Sequence, residues 1–130
     1  MSPSERLDQL ARGENPALIL RMPSGYAVMG DSQFFPGYCL LLADPLVDQL
    51  NDMEEWTRNQ FLQDMATLGD AVRRATGCKR LNYSIYGNLD PFVHAHVFPR
   101  YDWEDPSYAT KPPFLVPAEL REDPAKAFDP

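Results

Sequence analysis

Phe92-Val93-His94-Ala95-His96-Val97-Phe98-Pro99-Arg100 holds both histidines of the chain. Read as a β-strand, in which successive side chains alternate faces, it puts Phe92, His94, His96 and Phe98 on one face and Val93, Ala95 and Val97 on the other. Two imidazoles then stand side by side. The small apolar residues between them suit a sheet face covered by a helix, which leaves the histidine face free to meet a ligand.

The segments around this strand supply the rest of a sheet. Gly87-Asn88-Leu89-Asp90-Pro91 is a loop of turn formers, and Leu81–Tyr86 before it is a second strand. Further upstream lies one long helix, Met53–Thr76. Asp52 with Glu55 forms a capping box, Phe61, Met65, Leu68, Val72 and Ala75 recur at helical spacing, Arg73 and Arg74 suit the negative C-terminal end, and Gly77 is a natural stop. Ala17–Met22 and Tyr26–Met29, joined by Pro23-Ser24-Gly25, and Gly37–Leu42 read as three more strands of an antiparallel meander. Ser2 to Gly13 is a short helix, capped by Ser2 or Ser4, with little functional content. The expected fold class is therefore α+β: an antiparallel sheet of about five strands with the long helix across one face. From Asp102 onward six of 29 residues are proline, so residues 102–130 form a tail that packs on the domain or extends from it.

At 130 residues the chain has the length of one domain, residues 1–130, large enough to bury a core without disulfides. With 44% hydrophobic and 24% charged residues, no apolar run that spans a bilayer and no leader pattern at its start, it reads as soluble and cytoplasmic, without a membrane partner. Cys39 and Cys78 read as reduced, structural thiols. A net charge of −7 disfavours binding to a nucleic-acid polymer. It leaves room for a nucleotide ligand, because distant charges are screened beyond roughly 8–10 Å while imidazoles, backbone N–H groups and an arginine act locally.

Three chemistries are open to paired imidazoles on a strand. They can be satisfied structural histidines. They can be two ligands of a metal, the remaining ligands then coming from Asp or Glu because the chain has no third histidine. Or they can act on phosphorus without metal or cofactor: imidazole is largely neutral near pH 7, attacks well and leaves well once phosphorylated, so one ring attacks while its neighbour bonds a phosphate oxygen or the leaving group. Amide and backbone donors then stabilise the equatorial oxygens, and Asn88 in the loop entering the strand is placed for this.

At these residues the chain resembles the histidine triad superfamily of nucleotide hydrolases and transferases, whose signature alternates three histidines with apolar residues, often runs on into Pro-Arg and follows a Gly-Gln. Here Gly87-Asn88 takes the Gly-Gln place. With Gly87-Asn88-Leu89-Asp90-Pro91 the chain looks most like the bacterial branch of diadenosine polyphosphate hydrolase-like proteins. Upstream, Asp31 to Leu42 and the helix Met53–Thr76 are similar to the corresponding family segments, so the resemblance covers roughly residues 17–101.

The resemblance implies a histidine-triad-like fold, usually a homodimer, and hydrolysis at the α-phosphate of a dinucleoside polyphosphate or nucleoside phosphoramidate through a nucleotidyl-histidine intermediate. His94 falls on the nucleophile and His96 on the third histidine, which contacts phosphate or leaving group. Asn88 takes the amide role toward phosphate, Asn82 matches an asparagine facing the same group, and Asp31 matches the carboxylate that binds ribose hydroxyls. Arg100 either reaches phosphate or pairs with Asp102 or Glu104. Phe92 replaces the first histidine, so its support of the nucleophile must come from elsewhere and the ring can instead form a wall of the pocket. The alternative is a non-catalytic nucleotide-binding or scaffold protein on a degenerate triad.

Overall fold

The sheet starts as a hairpin. In the computed structural model, which describes residues 1–130, β1 (Leu18–Met22) and β2 (Gly25–Met29) pair antiparallel with Met22 opposite Gly25. Position 25 has no room for a side chain, since a Cβ there would collide with the Leu42 carbonyl oxygen of the next strand. β3 (Cys39–Ala43) lies on β2, β5 (His94–Arg100) lies on β3, and β4 (Arg80–Ser84) is the far edge, giving the order β1-β2-β3-β5-β4 with every neighbour antiparallel. Three helices complete the α+β architecture: α1 (Pro3–Ala11), α2 (Glu55–Thr76) and the short α3 (Ala118–Arg121).

The alternation along β5 and the residue before it sorts the side chains as the pattern predicts. Val93, Ala95 and Val97 enter one core with Ala27, Cys39 and Leu41 of the neighbouring strands and Phe61, Leu68 and Val72 of α2. The α2 stripe differs from the expected one in two places. Ala75 is exposed, and the stripe contains a carboxylate, Asp64, which is buried. Asp64 accepts from the Ser24 N–H (2.9 Å), the Ser24 hydroxyl (2.6 Å) and Gln60 Nε2 (2.8 Å), and so ties the helix to the β1–β2 turn.

The start of α2 departs from the capping box. Leu50–Asp52 forms a 3₁₀ turn of its own, Met53 is extended and buried, and Glu54 caps the helix with no side-chain bond. Burial of the apolar Met53 just ahead of the helix takes Asp52 out of capping position. Gly77 ends α2 with φ 65°, its N–H bonding the Arg73 carbonyl at 2.9 Å. α1 is capped by Ser2, whose hydroxyl accepts from the Glu5 N–H at 3.1 Å.

The opposite sheet face is covered at both ends rather than left open. Leu7 and Leu10 of α1 pack on Tyr26, Val28, Leu42 and Phe92. At the other end Tyr108 and Val116 pack on Phe35, Tyr38 and Phe98. The chain after Asp102 is built from turns and α3, and it is stitched to residues 31–33: Phe128 N–H donates to the Asp31 carbonyl (2.7 Å), Gln33 N–H to the Lys126 carbonyl (2.6 Å) and the Ser32 hydroxyl to the Arg121 carbonyl (2.5 Å). The histidines occupy the strip between these two covers. Both cysteines are free and buried, and no helix is long and apolar enough to cross a membrane.

Candidate functional site

Pairing with β3 places His94 opposite Leu42 and His96 opposite Leu40, two residues apart on one face, with ring centroids 5.1 Å apart. The two rings make different hydrogen bonds. His94 Nδ1 lies 2.8 Å from the Phe92 carbonyl oxygen, and a carbonyl only accepts, so Nδ1 carries the proton. In the neutral ring Nε2 is then a free lone pair.

His96 Nδ1 lies 2.7 Å from the Tyr38 hydroxyl. Burial, and after it the neighbouring His94, lowers the pKa of His96 from 6.5 to about 4, so His96 is neutral near pH 7. Burial, followed by the Asp31 charge, pushes Tyr38 well above its ordinary value, so its hydroxyl keeps its proton. Donation from that hydroxyl to His96 Nδ1 corresponds to the tautomer with the His96 proton on Nε2. With both rings neutral, the imidazoles thus present opposite faces of the same chemistry: a lone pair on His94 and an N–H on His96.

Tyr38 is absent from the residues singled out by the sequence. Its ring stacks on Phe98 with centroids 3.9 Å apart and planes 4° from parallel, and it lies against Gly30, where a Cβ would run into the ring. The available signal was an aromatic residue directly after Pro36-Gly37 and before an apolar strand. Gly37, with φ 96°, delays β3 to Cys39 and turns Tyr38 toward β5.

Two cavities meet at the histidines. One of about 460 Å³ is lined by His94, His96, Tyr38, Phe92, Asp31 and, from α1, Arg6. The other, of about 380 Å³, is lined by His94, His96, Tyr86, Gly87, Asn88 and Phe114. Asp31, Asn88 and Phe92 therefore join the histidines. Phe92 stacks on His94 at 4.6 Å while supplying the carbonyl that holds its proton. Arg6 was missed because helical spacing in α1 says nothing about which sheet face the helix covers.

Asn82 and Arg100 stand apart from both cavities. They line a larger cleft of about 740 Å³ between β4 and the chain after Asp102. The Arg100 guanidinium pairs with Glu104 (Nη2 to Oε1, 2.7 Å) and also donates to Asn82 Oδ1 (2.8 Å), the Lys111 carbonyl (2.6 Å) and the Tyr108 carbonyl (3.2 Å). Of the two partners the sequence offered for Arg100, the structure shows the acidic one, Glu104, and Asn82 bonds the same guanidinium. No group of three or more His, Cys, Asp or Glu side chains is arranged to hold a metal ion.

No family model matches the chain, and no curated protein matches it. Solved structures do. A histidine triad protein from Sinorhizobium meliloti superposes with a TM-score of 0.70 at 17% identity over 87% of this chain and 78% of its own. One from Bradyrhizobium japonicum gives 0.58 at 23% identity over 72% and 81%, and one from Marinobacter aquaeolei 0.60 at 18% over 94% and 88%. At these identities the likeness is one of fold, and the fold is that of the histidine triad proteins.

Proposed function

We propose that the protein is a nucleotide hydrolase of the diadenosine polyphosphate hydrolase-like branch, cleaving at the α-phosphate of a dinucleoside polyphosphate or nucleoside phosphoramidate without a metal. The observation that carries this reading is the opposed protonation of the paired imidazoles. In the neutral ring, whose proton Nδ1 holds against the Phe92 carbonyl, His94 Nε2 carries the lone pair and attacks the α-phosphorus as the bond to the leaving group breaks. His96 Nε2–H, set by the Tyr38 hydroxyl, hydrogen-bonds the departing oxygen and stabilises the charge it gains, so that a polyphosphate leaves as its anion. Water then displaces the imidazole, its oxygen bonding phosphorus as the phosphorus–nitrogen bond breaks, loses a proton to solvent and leaves a nucleoside monophosphate, with both rings as they began.

The other residues fit this course. Asn88 donates its amide to a phosphate oxygen, and Asp31 accepts from ribose hydroxyls in the 460 Å³ cavity, where Arg6 adds a positive charge. Phe92 does not leave the nucleophile unsupported, because the acceptor for Nδ1 is a backbone carbonyl that any residue supplies. Assembly as a homodimer belongs to the same proposal.

Purified protein treated with EDTA, incubated with adenosine and guanosine polyphosphates, tests it. Wild type should turn over one of them with EDTA present, and His94→Ala should lose several powers of ten in rate while keeping nucleotide affinity. Equal turnover by the two proteins rules the mechanism out. Binding without turnover by wild type makes the protein a nucleotide-binding module, and loss of activity with loss of bound zinc or iron makes it a metalloenzyme.

A further inference from the structure

We infer that Tyr86 and Phe114 form a stacking subsite for an aromatic leaving group, which selects dinucleoside polyphosphates over substrates that release a small group; this rests on the hydrolase reading above. The two rings line the 380 Å³ cavity, in edge-to-face contact with centroids 5.8 Å apart. Both also touch the histidine that faces the leaving group: Phe114 lies 5.1 Å and Tyr86 6.1 Å from His96, centroid to centroid.

Their exposure is unusual for a ring pair bound to a core, since Tyr86 is 58% and Phe114 39% accessible. They come from unrelated parts of the chain, Tyr86 just after β4 and Phe114 from the 3₁₀ turn Pro113–Leu115. Phe114 is held from beside by the Arg121 guanidinium, 5.6 Å from its ring. A ring fixed by packing yet open on one side is a stacking platform, because the order needed to bind a flat ligand is already present.

Position decides which part of the substrate this is. The cavities of about 460 and 380 Å³ share the histidines as a common wall, so a phosphorus atom at His94 Nε2 has one cavity on each side. The side with Asp31 takes the nucleoside that stays on the enzyme. The side with Tyr86 and Phe114 takes what leaves, and a nucleobase fills a cavity that ammonia or free phosphate would leave to water.

The test is the ratio of kcat/KM for diadenosine tetraphosphate to that for adenosine 5′-phosphoramidate, in wild type, Tyr86→Ala and Tyr86→Phe. Tyr86→Ala should lower the ratio on the order of tenfold, the scale of one lost base–aromatic stack, and Tyr86→Phe should hold it near the wild-type value. An unchanged ratio in Tyr86→Ala overturns the subsite, and so does a loss in Tyr86→Phe as large as in Tyr86→Ala. If wild type cleaves neither compound, the hydrolase reading fails instead. The subsite is then judged by the same ratio taken between dissociation constants of the two compounds, with the same outcomes deciding.

Discussion

One oxygen atom, the Tyr38 hydroxyl, links the packing of the site to its chemistry. Tyr38→Phe keeps the stack on Phe98 and the contact with Gly30, and removes only the donor to His96 Nδ1. Stability should change by about 1 kcal/mol, the usual worth of one hydrogen bond. The rate should fall by about tenfold or more with KM nearly unchanged, because His96 no longer has its proton fixed on Nε2; steady-state kinetics beside a denaturant titration separate the two effects. His96 also sets a pH response. Its pKa is 6.5 when unfolded and about 4 when folded, so between these values the unfolded chain binds more protons. Stability conferred by the neutral ring is complete above about 6.5 and is lost progressively as the pH falls toward 4. Denaturation midpoints at pH 7 and pH 4.5 should therefore differ less in His96→Gln than in wild type.

At the scale of elements, α2 is held to the sheet by apolar packing and by one polar knot. Asp64→Ala removes the acceptor of the Ser24 N–H and leaves a buried donor unsatisfied, at a cost of about 1–3 kcal/mol. Amide exchange should speed up in the β1–β2 turn more than in β5, where Val97 and Ala95 remain packed. This knot marks the limit of what periodicity can say. The apolar positions of α2 and the alternation of β5 were legible because each follows from the geometry of one element. Asp64 was not, because the stripe has no place for a carboxylate until the turn that satisfies it, 40 residues away, is in contact. The same holds for the site. His94, His96, Asn88, Asp31 and Phe92 could be read from motif and resemblance, whereas Tyr38, Arg6, Tyr86 and Phe114 enter through long-range packing of a loop, a helix, the segment after the edge strand and the last 29 residues. For Arg100 the sequence left a phosphate and two acidic neighbours open, and only the packed chain after Asp102 shows that it is Glu104 that closes over it.

In the whole molecule, Arg100 and Glu104 fasten the chain after Asp102 to the sheet, with side-chain exposures of 8% and 1%. Glu104 receives the guanidinium at 2.7–3.1 Å and the Tyr101 N–H at 2.7 Å, while Arg100 holds the carbonyls of Tyr108 and Lys111. Glu104→Ala leaves a buried cation without its counter-ion and should cost about 3–5 kcal/mol, read by chemical denaturation; limited proteolysis should then cut within residues 105–117. The double replacement Arg100→Met with Glu104→Leu should recover only the part due to the unpaired charge, because the carbonyls of Tyr108 and Lys111 and the Tyr101 N–H still lose their partners. Phe114 lies three residues beyond Lys111, so each opening of this segment also dismantles one wall of the 380 Å³ cavity. For any ligand that uses that wall, the protein is an equilibrium between competent and incompetent forms, and the measured dissociation constant is the intrinsic one divided by the competent fraction. An ion pair that never meets the ligand is in this way a factor in its apparent affinity.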